Sequence, residues 1–250
     1  MTIQAVTLDF WGTLVVDGPG ADERYRAPRL HGWQRVLAGA GCDVSAAALG
    51  AAYDASLRIL HGVWRNDRDV AVAYHVEAIL ASLDPAIAPA LDVKVRDALV
   101  EAYAAPLSLV PPAFDGAADT ILNSLRARGY LLGIISNVLR TPGRVLRDLL
   151  AARGLLSLFT AITFSDEAEW RKPAKQIFAL TLERLAVSPA AAVHVGDDEI
   201  LDVAGARQAG LGSVLVCDSP TATATEADVT IGSLAELPAA IERLERQHPR

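Results

Sequence analysis

Three aspartates stand directly after short apolar runs of the sequence, where a carboxylate contributes little to packing. Asp9 follows the apolar residues 5–8, and Asp197 and Asp198 follow the apolar residues 191–195 and a glycine. Such runs are typical of buried strands, and open α/β sheets place their functional sites beyond the carboxyl ends of their strands. We therefore take the three aspartates as the candidate chemical site, with a simple turn cap as the alternative for Asp9.

Carboxylates gathered at one edge of a sheet favour a bound cation. Like charges raise one another's pKa unless a positive charge lies between them. A hard divalent ion that takes oxygen ligands and keeps several water molecules fits this setting best, and that ion is Mg²⁺. The sequence thus predicts Mg²⁺ as a cofactor, held by carboxylates of Asp9, Asp197 and Asp198.

The second half of the chain contains the elements that would bring these residues together. After about residue 110, apolar runs alternate with helical patterns, and the runs cover residues 131–135, 159–164, 191–195, 213–216 and 227–231. This alternation predicts a parallel sheet whose strands all end at one edge. The predicted fold class is α/β, a Rossmann-like parallel sheet flanked by helices. We expect His194 to be a hydrogen-bonded core histidine, and Asp202 to cap the helix of residues 202–209 and to lie just outside the groups that bind the metal.

Residues 17–109 differ in character from the rest of the chain. They open on a turn-forming cluster at residues 17–20, and they then show helical spacing of apolar residues with no convincing strand. The sequence therefore predicts an all-helical domain of residues 17–109, inserted into an α/β core of residues 1–16 and 110–250. Four arginines early in this insert are candidates either to reach an anionic substrate or to form a solvated basic face: Arg24, Arg26, Arg29 and Arg35.

The composition argues against several classes of protein. The chain has 250 residues, of which 52% are hydrophobic and 21% charged, so it is globular in composition. A net charge of -7 argues against a nucleic-acid partner, and no apolar stretch is long enough to span a membrane or to form a signal peptide. Cys42 and Cys217 lack metal-ligand spacing, which predicts reduced thiols and a cytoplasmic location. We expect a monomer or homodimer that acts on a small anionic molecule.

Four stretches of the sequence resemble the motifs of the haloacid dehalogenase (HAD) superfamily, in that family's order. The first motif is Asp-x-Asp-x-Thr-Leu after a hydrophobic strand, and Asp9, Thr13 and Leu14 match it. The other three resemblances are Ser136-Asn137, Lys172-Pro173, and Gly196-Asp197-Asp198 followed by Asp202. The helical insert resembles the family's cap in position and type, and a cap excludes water and selects the substrate.

The resemblance implies a role for each motif. Asp9 would attack phosphorus and form an aspartyl-phosphate, and Lys172 would neutralise charge around it. Ser136 and Asn137 would bind the transferring phosphoryl group. The magnesium ligands would be Asp9, Asp197, Asp198 and the backbone carbonyl of Trp11. Electrostatic stabilisation of this kind, together with positioning, dominates phosphoryl transfer.

Trp11 departs from the phosphatase pattern. It stands where the family's phosphatases carry a second aspartate, which protonates the leaving oxygen and then activates water. Trp11 keeps the carbonyl that reaches the metal, and it remains a candidate to contact the substrate, but an indole is neither acid nor base at neutral pH. General acid–base catalysis contributes roughly 10²–10⁴-fold. The substrate therefore has a good leaving group, another residue takes the role, or hydrolysis is slow.

Two other functions remain open at this point. The 2-haloacid dehalogenases of the superfamily carry an aromatic residue, tyrosine, at the position of Trp11, and they need no acid because halide leaves without a proton. They use no metal, however, and their fourth motif resembles Ser-Ser-Asn rather than Gly-Asp-Asp. We therefore favour a magnesium-dependent phosphohydrolase over a dehalogenase-like enzyme and over a binding or regulatory member with little catalysis.

Overall fold

The computed structural model describes residues 2–16, 21–84, 86–217 and 225–247. The turn predicted at residues 17–20 lies outside them. The chain divides into two compact units, which we name the core unit (Met1–Asp17, Pro112–Asn137 and Leu150–Arg250) and the helical unit (Gly18–Pro111 and Val138–Leu149). The division differs from the sequence expectation in one respect, because residues 138–149 group with the helices of the insert.

Strands and helices alternate outside the insert. The strands are β1 (Ala5–Leu8), β2 (Val15–Val16), β3 (Ala113–Phe114), β4 (Leu131–Ser136), β5 (Ala161–Phe164), β6 (Ala192–Gly196), β7 (Gly212–Val216) and β8 (Val229–Ile231). The α-helices are α1 (Ala21–Gly39), α2 (Ala46–Trp64), α3 (Val72–Ser82), α4 (Ile87–Ala90), α5 (Val93–Ala104), α6 (Pro106–Leu109), α7 (Ala118–Ala127), α8 (Gly143–Ala152), α9 (Ser165–Ala168), α10 (Lys175–Leu185), α11 (Gly205–Gln208) and α12 (Leu237–Gln247). A π-helical segment, Glu199–Ala204, precedes α11.

The core unit is built on a six-stranded parallel sheet with the strand order β5-β4-β1-β6-β7-β8. β1 lies in the middle, where Leu8 is in register with Ile134 of β4 and Val195 of β6. All four residues of β1 are buried, as expected for a parallel strand covered on both faces. The predicted α/β class with a parallel sheet is confirmed.

The helices of the core unit pack apolar faces on this sheet. α10 contributes Ile177, Phe178, Leu182 and Leu185, which are buried in one hydrophobic cluster with Ala5 of β1. None of the helices in the described part of the chain is both long and apolar enough to cross a membrane.

A second, two-stranded sheet was not predicted from the sequence. β2 and β3 pair antiparallel, with Val15 opposite Phe114. The two strands lie on either side of the insert in the chain, so their pairing joins the point where the chain leaves the core unit to the point where it returns. A strand of two residues is too short for periodicity to reveal.

The helical unit has its own hydrophobic core. The four apolar faces predicted between residues 28 and 105 correspond to α1, α2, α3 and α5. Trp33 of α1 is 1% exposed, and its indole N–H donates to the carbonyl of Leu99 in α5 over 3.0 Å. Buried aromatic and aliphatic side chains from all four helices surround it.

Candidate active site

The parallel register of the core sheet brings three sequence-predicted residues to one edge. Asp9 follows β1, Ser136 ends β4, and Asp197 follows β6, and these strands are neighbours in the sheet. The amide of Asp9 donates to the carbonyl of Val195 over 2.9 Å, which continues the β1–β6 ladder to the first aspartate. The sheet edge therefore places the predicted motifs side by side.

Lys172 lies between two buried carboxylates. Its ammonium group is 2.9 Å from Oδ2 of Asp9 and 2.5 Å from Oδ1 of Asp202. Lys172 is 2% exposed, Asp202 is 1% exposed and Asp9 is 8% exposed. The other oxygen of Asp9 accepts from the amide of Phe10 over 2.6 Å. The ammonium thus holds the predicted nucleophile in one orientation.

Asp202 is the central acceptor of this network. Oδ1 also lies 2.9 Å from Nε2 of His194, and Oδ2 accepts from the amide of Asp198 over 3.1 Å. Nδ1 of His194 lies 2.9 Å from the hydroxyl of Thr7. An imidazole protonated on Nε2 satisfies both contacts, since it donates to Asp202 and accepts from Thr7. His194 is therefore a hydrogen-bonded core histidine, as predicted.

Asn137 positions the loop that carries Lys172. Its side-chain amide donates to the carbonyl of Lys172 over 3.0 Å, and its side-chain oxygen accepts from the amide of Lys172 over 2.8 Å. This reciprocal pair ties the end of β4 to the lysine loop. The side chain of Asn137, predicted to bind substrate, is thus engaged with the backbone of Lys172.

Asp197 and Asp198 have different surroundings. Asp198 caps the π-helical segment, because its Oδ1 accepts from the amides of Ile200 and Leu201, each over 2.8 Å. The prediction that Asp202 would be the cap is therefore wrong, since Asp202 lies inside that segment. The structure brings the carboxylate of Asp197, rather than that of Asp198, beside Asp9.

Two glycines make room for these carboxylates. A Cβ atom on Gly12 would lie 2.2 Å from Oδ2 of Asp197, and the φ of Gly12 is +75°, a conformation that favours glycine. A Cβ atom on Gly196 would lie 2.1 Å from the carboxyl carbon of Asp202. Side chains at either position would displace an acid of the site.

The carboxylates of Asp9 and Asp197 are close enough to share a cation, and that of Asp202 lies beside them. One oxygen from each lies within 4.8 Å of the other two. Mg²⁺ holds oxygen ligands at about 2.1 Å, so ligands on opposite sides of the ion are about 4.2 Å apart. The hydroxyls of Thr13 and Ser136 are buried without a hydrogen-bond partner, and such groups are available to a ligand. The residues present fit a hard divalent ion beside an oxyanion.

The charges of the site shift one another's pKa values. Burial raises the pKa of Asp9, Lys172 opposes that rise, and Asp202 adds to it. Burial opposes ionisation of Asp202 too, but Lys172 and His194 hold the pKa of that carboxyl below its usual range. Partial desolvation, with the carboxylates of Asp9 and Asp202, raises the pKa of Asp197 to about 6. Burial is the main cause of both raised pKa values, and a positive ion beside Asp9 and Asp197 would favour the ionised form of both carboxyls.

Trp11 is partly exposed in the loop after β1. Its ring packs edge-to-face on Phe10, with ring centroids 5.3 Å apart. The amide of the next residue, Gly12, donates to the carbonyl of Val15 over 2.8 Å and closes the loop. Trp11 therefore belongs to the same loop as the predicted nucleophile.

Sequence reasoning missed the arrangement around Asp202. A lone acid four residues after Asp198 has the spacing of an ordinary helical residue, so no pattern reveals that it bonds Lys172. The available signal was the combination of His194 inside a buried strand and Gly196 before the acids, because a buried imidazole needs a polar partner.

Comparison with known proteins places these motifs in a family context. A sequence profile described as haloacid dehalogenase-like hydrolase matches residues 3–210. The chain is 32% identical over 160 residues to the haloacid dehalogenase-like hydrolase domain-containing protein 3 of Mus musculus, which covers 62% of this chain and 61% of that protein. It is 34% identical over 151 residues to a ribulose-1,5-bisphosphate 5-phosphatase of Halopiger xanaduensis, covering 56% of this chain and 60% of that protein. The matches span about three fifths of the length of these relatives.

Solved structures share the fold. A HAD phosphatase from Thermococcus onnurineus matches with a TM-score of 0.61 and 24% identity, covering 96% of this chain and 98% of that one. A 2-haloacid dehalogenase from Pseudomonas syringae matches with a TM-score of 0.72 and 22% identity, covering 97% and 100%. At these identities the likeness shows the architecture and leaves the reaction to be argued from the site.

Proposed function

The chain belongs to the haloacid dehalogenase-like hydrolases, and from that premise we propose that it is a magnesium-dependent phosphohydrolase acting on a small phosphorylated metabolite. The observation that carries the proposal is the carboxylate of Asp9 at the edge of the sheet, held by Lys172 and close to the carboxylate of Asp197. Relatives named as phosphatases of ribulose-1,5-bisphosphate, glyceraldehyde 3-phosphate and phosphoserine support this substrate class.

We assign the metal ligands to Asp9, Asp197 and the backbone carbonyl of Trp11. Both carboxylate oxygens of Asp202 are already bonded, to Lys172, His194 and the amide of Asp198. Asp202 would therefore affect the metal ion through its charge, without binding the ion directly. Asp198, predicted as a ligand, has one oxygen engaged in capping. Bound Mg²⁺ would supply positive charge to the oxygens of the transferring phosphoryl group.

The reaction assigned to Asp9 proceeds in two displacements. A carboxylate oxygen of Asp9 attacks phosphorus, a bond to phosphorus forms, and the bond from phosphorus to the leaving oxygen breaks. Water then attacks the aspartyl-phosphate, which releases inorganic phosphate and restores the carboxylate. Lys172 stays cationic, because Asp202 and Asp9 raise its pKa against the effect of burial, and it offsets the charge of the incoming phosphate. Ser136 has a buried, unpartnered hydroxyl with which to bind a phosphoryl oxygen.

Trp11 determines which substrates react well. With an indole in place of the family's second aspartate, the leaving oxygen departs without a proton from that position. We expect turnover to rise steeply as the pKa of the leaving alcohol falls, which a series of substituted aryl phosphates measures. A flat response across the series would show that another group supplies the proton.

The proposal is tested by a paired assay on the intact protein. We expect phosphate release that requires Mg²⁺ and stops with a chelator, and no halide release from 2-haloacids. Asp9→Asn should lower phosphate release by roughly 10⁴-fold or more, because an amide is a poor nucleophile. Asp119→Asn is the matched control, since that acid pairs with Arg153 at the surface of the core unit. Full activity in Asp9→Asn would remove Asp9 from the mechanism.

Dehalogenation is the second candidate, and the observation that favours it is Trp11 itself. An aromatic residue at this position suits a reaction whose leaving halide needs no proton. Against it stand the acidic pair Asp197-Asp198 and the carboxylate spacing, which suit a cation that dehalogenases do not use. Metal-independent halide release, lost in Asp9→Asn, would establish this candidate. The cytoplasmic location and the monomeric or homodimeric state stay predictions.

A further inference from the structure

The helical unit buries two arginines that have no carboxylate partner among the described residues. Arg29 of α1 is 1% exposed and Arg140, in the segment before α8, is 6% exposed. Arg29 donates from Nε to the carbonyl of Tyr103 over 2.7 Å and from Nη1 to the hydroxyl of Tyr53 over 2.9 Å. Arg140 donates from Nη1 to the hydroxyl of Tyr103 over 2.9 Å. All of these acceptors are neutral groups.

Other arginines of the same unit are paired with acids. Exposed ion pairs join Arg26 to Asp54 and Arg144 to Glu101. A third pair joins Arg96 to Glu77. These three arginines near the surface thus have carboxylate partners, whereas the deeply buried Arg29 and Arg140 bond only neutral oxygens among the described residues. This is the reverse of what stability alone favours, because a buried ion needs a partner more than an exposed one.

The neutral partners do not remove the buried charge. The guanidinium carbon of Arg140 lies 3.8 Å from the ring centroid of Tyr53, and that of Arg29 lies 4.7 Å from the centroid of Tyr103. Cation–π attraction of this kind is weaker than the cost of desolvating an ion. Tyr103 stays a neutral phenol, because burial raises its pKa to about 12 despite the two arginines. Arginine itself does not deprotonate in proteins.

One terminal nitrogen of the Arg140 guanidinium makes no hydrogen bond. Nη2 is buried and has no hydrogen-bond partner, although it carries two N–H donors. A planar guanidinium with free donors matches the oxygens of a carboxylate or phosphate. The missing partner therefore has the chemistry of an oxyanion.

We propose that the helical unit contains an oxyanion site, in which Nη2 of Arg140 binds a carboxylate or phosphate group and Arg29 supplies the second positive charge. Tyr53 and Tyr103 hold the two guanidinium groups in place. The oxyanion is a free anion that the helical unit binds by itself. The site is distinct in its residues from the Asp9 cluster, and its existence does not depend on the phosphohydrolase reaction.

The site is tested by nuclear magnetic resonance of the arginine Nε–H groups in the full chain, without divalent metal and at constant ionic strength. Acetate and inorganic phosphate are the probes. We expect saturable shifts of the Arg29 and Arg140 signals, present also in Asp9→Asn, which separates this site from the proposed catalytic one. In Arg140→Met, binding seen at Arg29 should weaken at least tenfold. Arg144→Met is the matched control, because it loses the same charge from the exposed pair with Glu101.

The outcomes are distinct. Shifts that do not saturate, or an unchanged affinity at Arg29 in Arg140→Met, would overturn the proposal. If Arg140→Met does not fold, Arg140→Lys keeps the charge but lacks the guanidinium fork, and we expect it to bind at least tenfold more weakly. Unchanged affinity in that variant would overturn the proposal equally.

Discussion

The core unit and the helical unit both bury charged side chains, but they compensate the charges differently. In the core unit, Lys172 lies within 2.9 Å of the carboxylates of both Asp9 and Asp202. In the helical unit, Arg29 and Arg140 bond only neutral oxygens within the described part of the chain. The first arrangement holds its cation with anions of the chain itself, and the second leaves a place for an anion from outside.

The difference indicates what each cluster is for. Removing one partner from a buried ion pair leaves an uncompensated charge and is strongly destabilising. A buried cation whose partner is a ligand should instead contribute little to the stability of the free protein. Stability measurements on the two units can therefore separate a permanent pair from a binding site.

Lys172→Met should have the largest effect on stability. It leaves the buried carboxylates of Asp9 and Asp202 without their cation, so we expect a loss of about 3–5 kcal/mol in the free energy of unfolding. Urea unfolding at neutral pH measures it. Lys175→Met, at an exposed position in the first turn of α10, should cost less than about 0.5 kcal/mol. Equal losses in Lys172→Met and Arg140→Met, without added oxyanion, would abolish the contrast between the units.

Asp202→Asn tests the same buried ion pair by changing the acid instead of the lysine. The amide keeps the shape but loses the charge that Lys172 and His194 bond, so we expect a loss of about 1.5–3 kcal/mol at pH 7. The pKa of Asp202 is depressed, so its contribution is fully present above the unfolded value of about 3.9 and disappears as pH falls further. The difference between the two proteins that is due to Asp202 should therefore narrow as the pH falls below about 4. A difference that does not narrow below that pH would contradict the assignment.

The two units should also respond differently to pH, because guanidinium groups do not titrate and the carboxyl of Asp197 does. With its pKa raised to about 6, Asp197 must lose a proton to bind Mg²⁺ below that pH. We expect the apparent Mg²⁺ affinity to fall about tenfold per pH unit below pH 6. Calorimetry in buffers of different ionisation enthalpy counts the released protons. Asp197→Asn should remove the contribution of Asp197 to this proton release. In the helical unit, acetate binding at Arg140 should be independent of pH between 6 and 8.

Thr7→Val changes the last residue of the hydrogen-bond chain that runs from Lys172 through Asp202 and His194 to Thr7. It should have the smallest effect on stability. It removes the hydroxyl that lies 2.9 Å from Nδ1 of His194 while keeping the shape of the side chain. Losing one buried hydrogen bond should cost about 0.5–1.5 kcal/mol in thermal unfolding. Thr230→Val, at a partly buried position in β8, is the matched control. No difference between the two variants would show that His194 is held without Thr7.

Much of the core unit could be predicted from local patterns. Apolar runs between helical patterns indicated β1, β4, β5, β6 and β7, and the acids after β1 and β6 pointed to the edge where Asp9 and Asp197 meet. The pairing of β2 with β3 could not be predicted, because strands of two residues carry no periodicity. The apolar faces of α1, α2, α3 and α5 could also be predicted from the sequence, because helical spacing is a local property.

The order of residues along the chain was sufficient for the parallel sheet and for the positions of Asp9 and Asp197, because these depend on local spacing and on the rule that parallel strands end at one edge. Lys172 was identified only through the family resemblance. Only the tertiary structure decided which acid bonds Lys172, that Asp198 caps a helix, and that Arg29 and Arg140 meet at Tyr53 and Tyr103. The cap is a local contact between Asp198 and the amides of Ile200 and Leu201, but the other relationships join side chains that are far apart in sequence. Their energies depend on burial and distance, which no local pattern encodes.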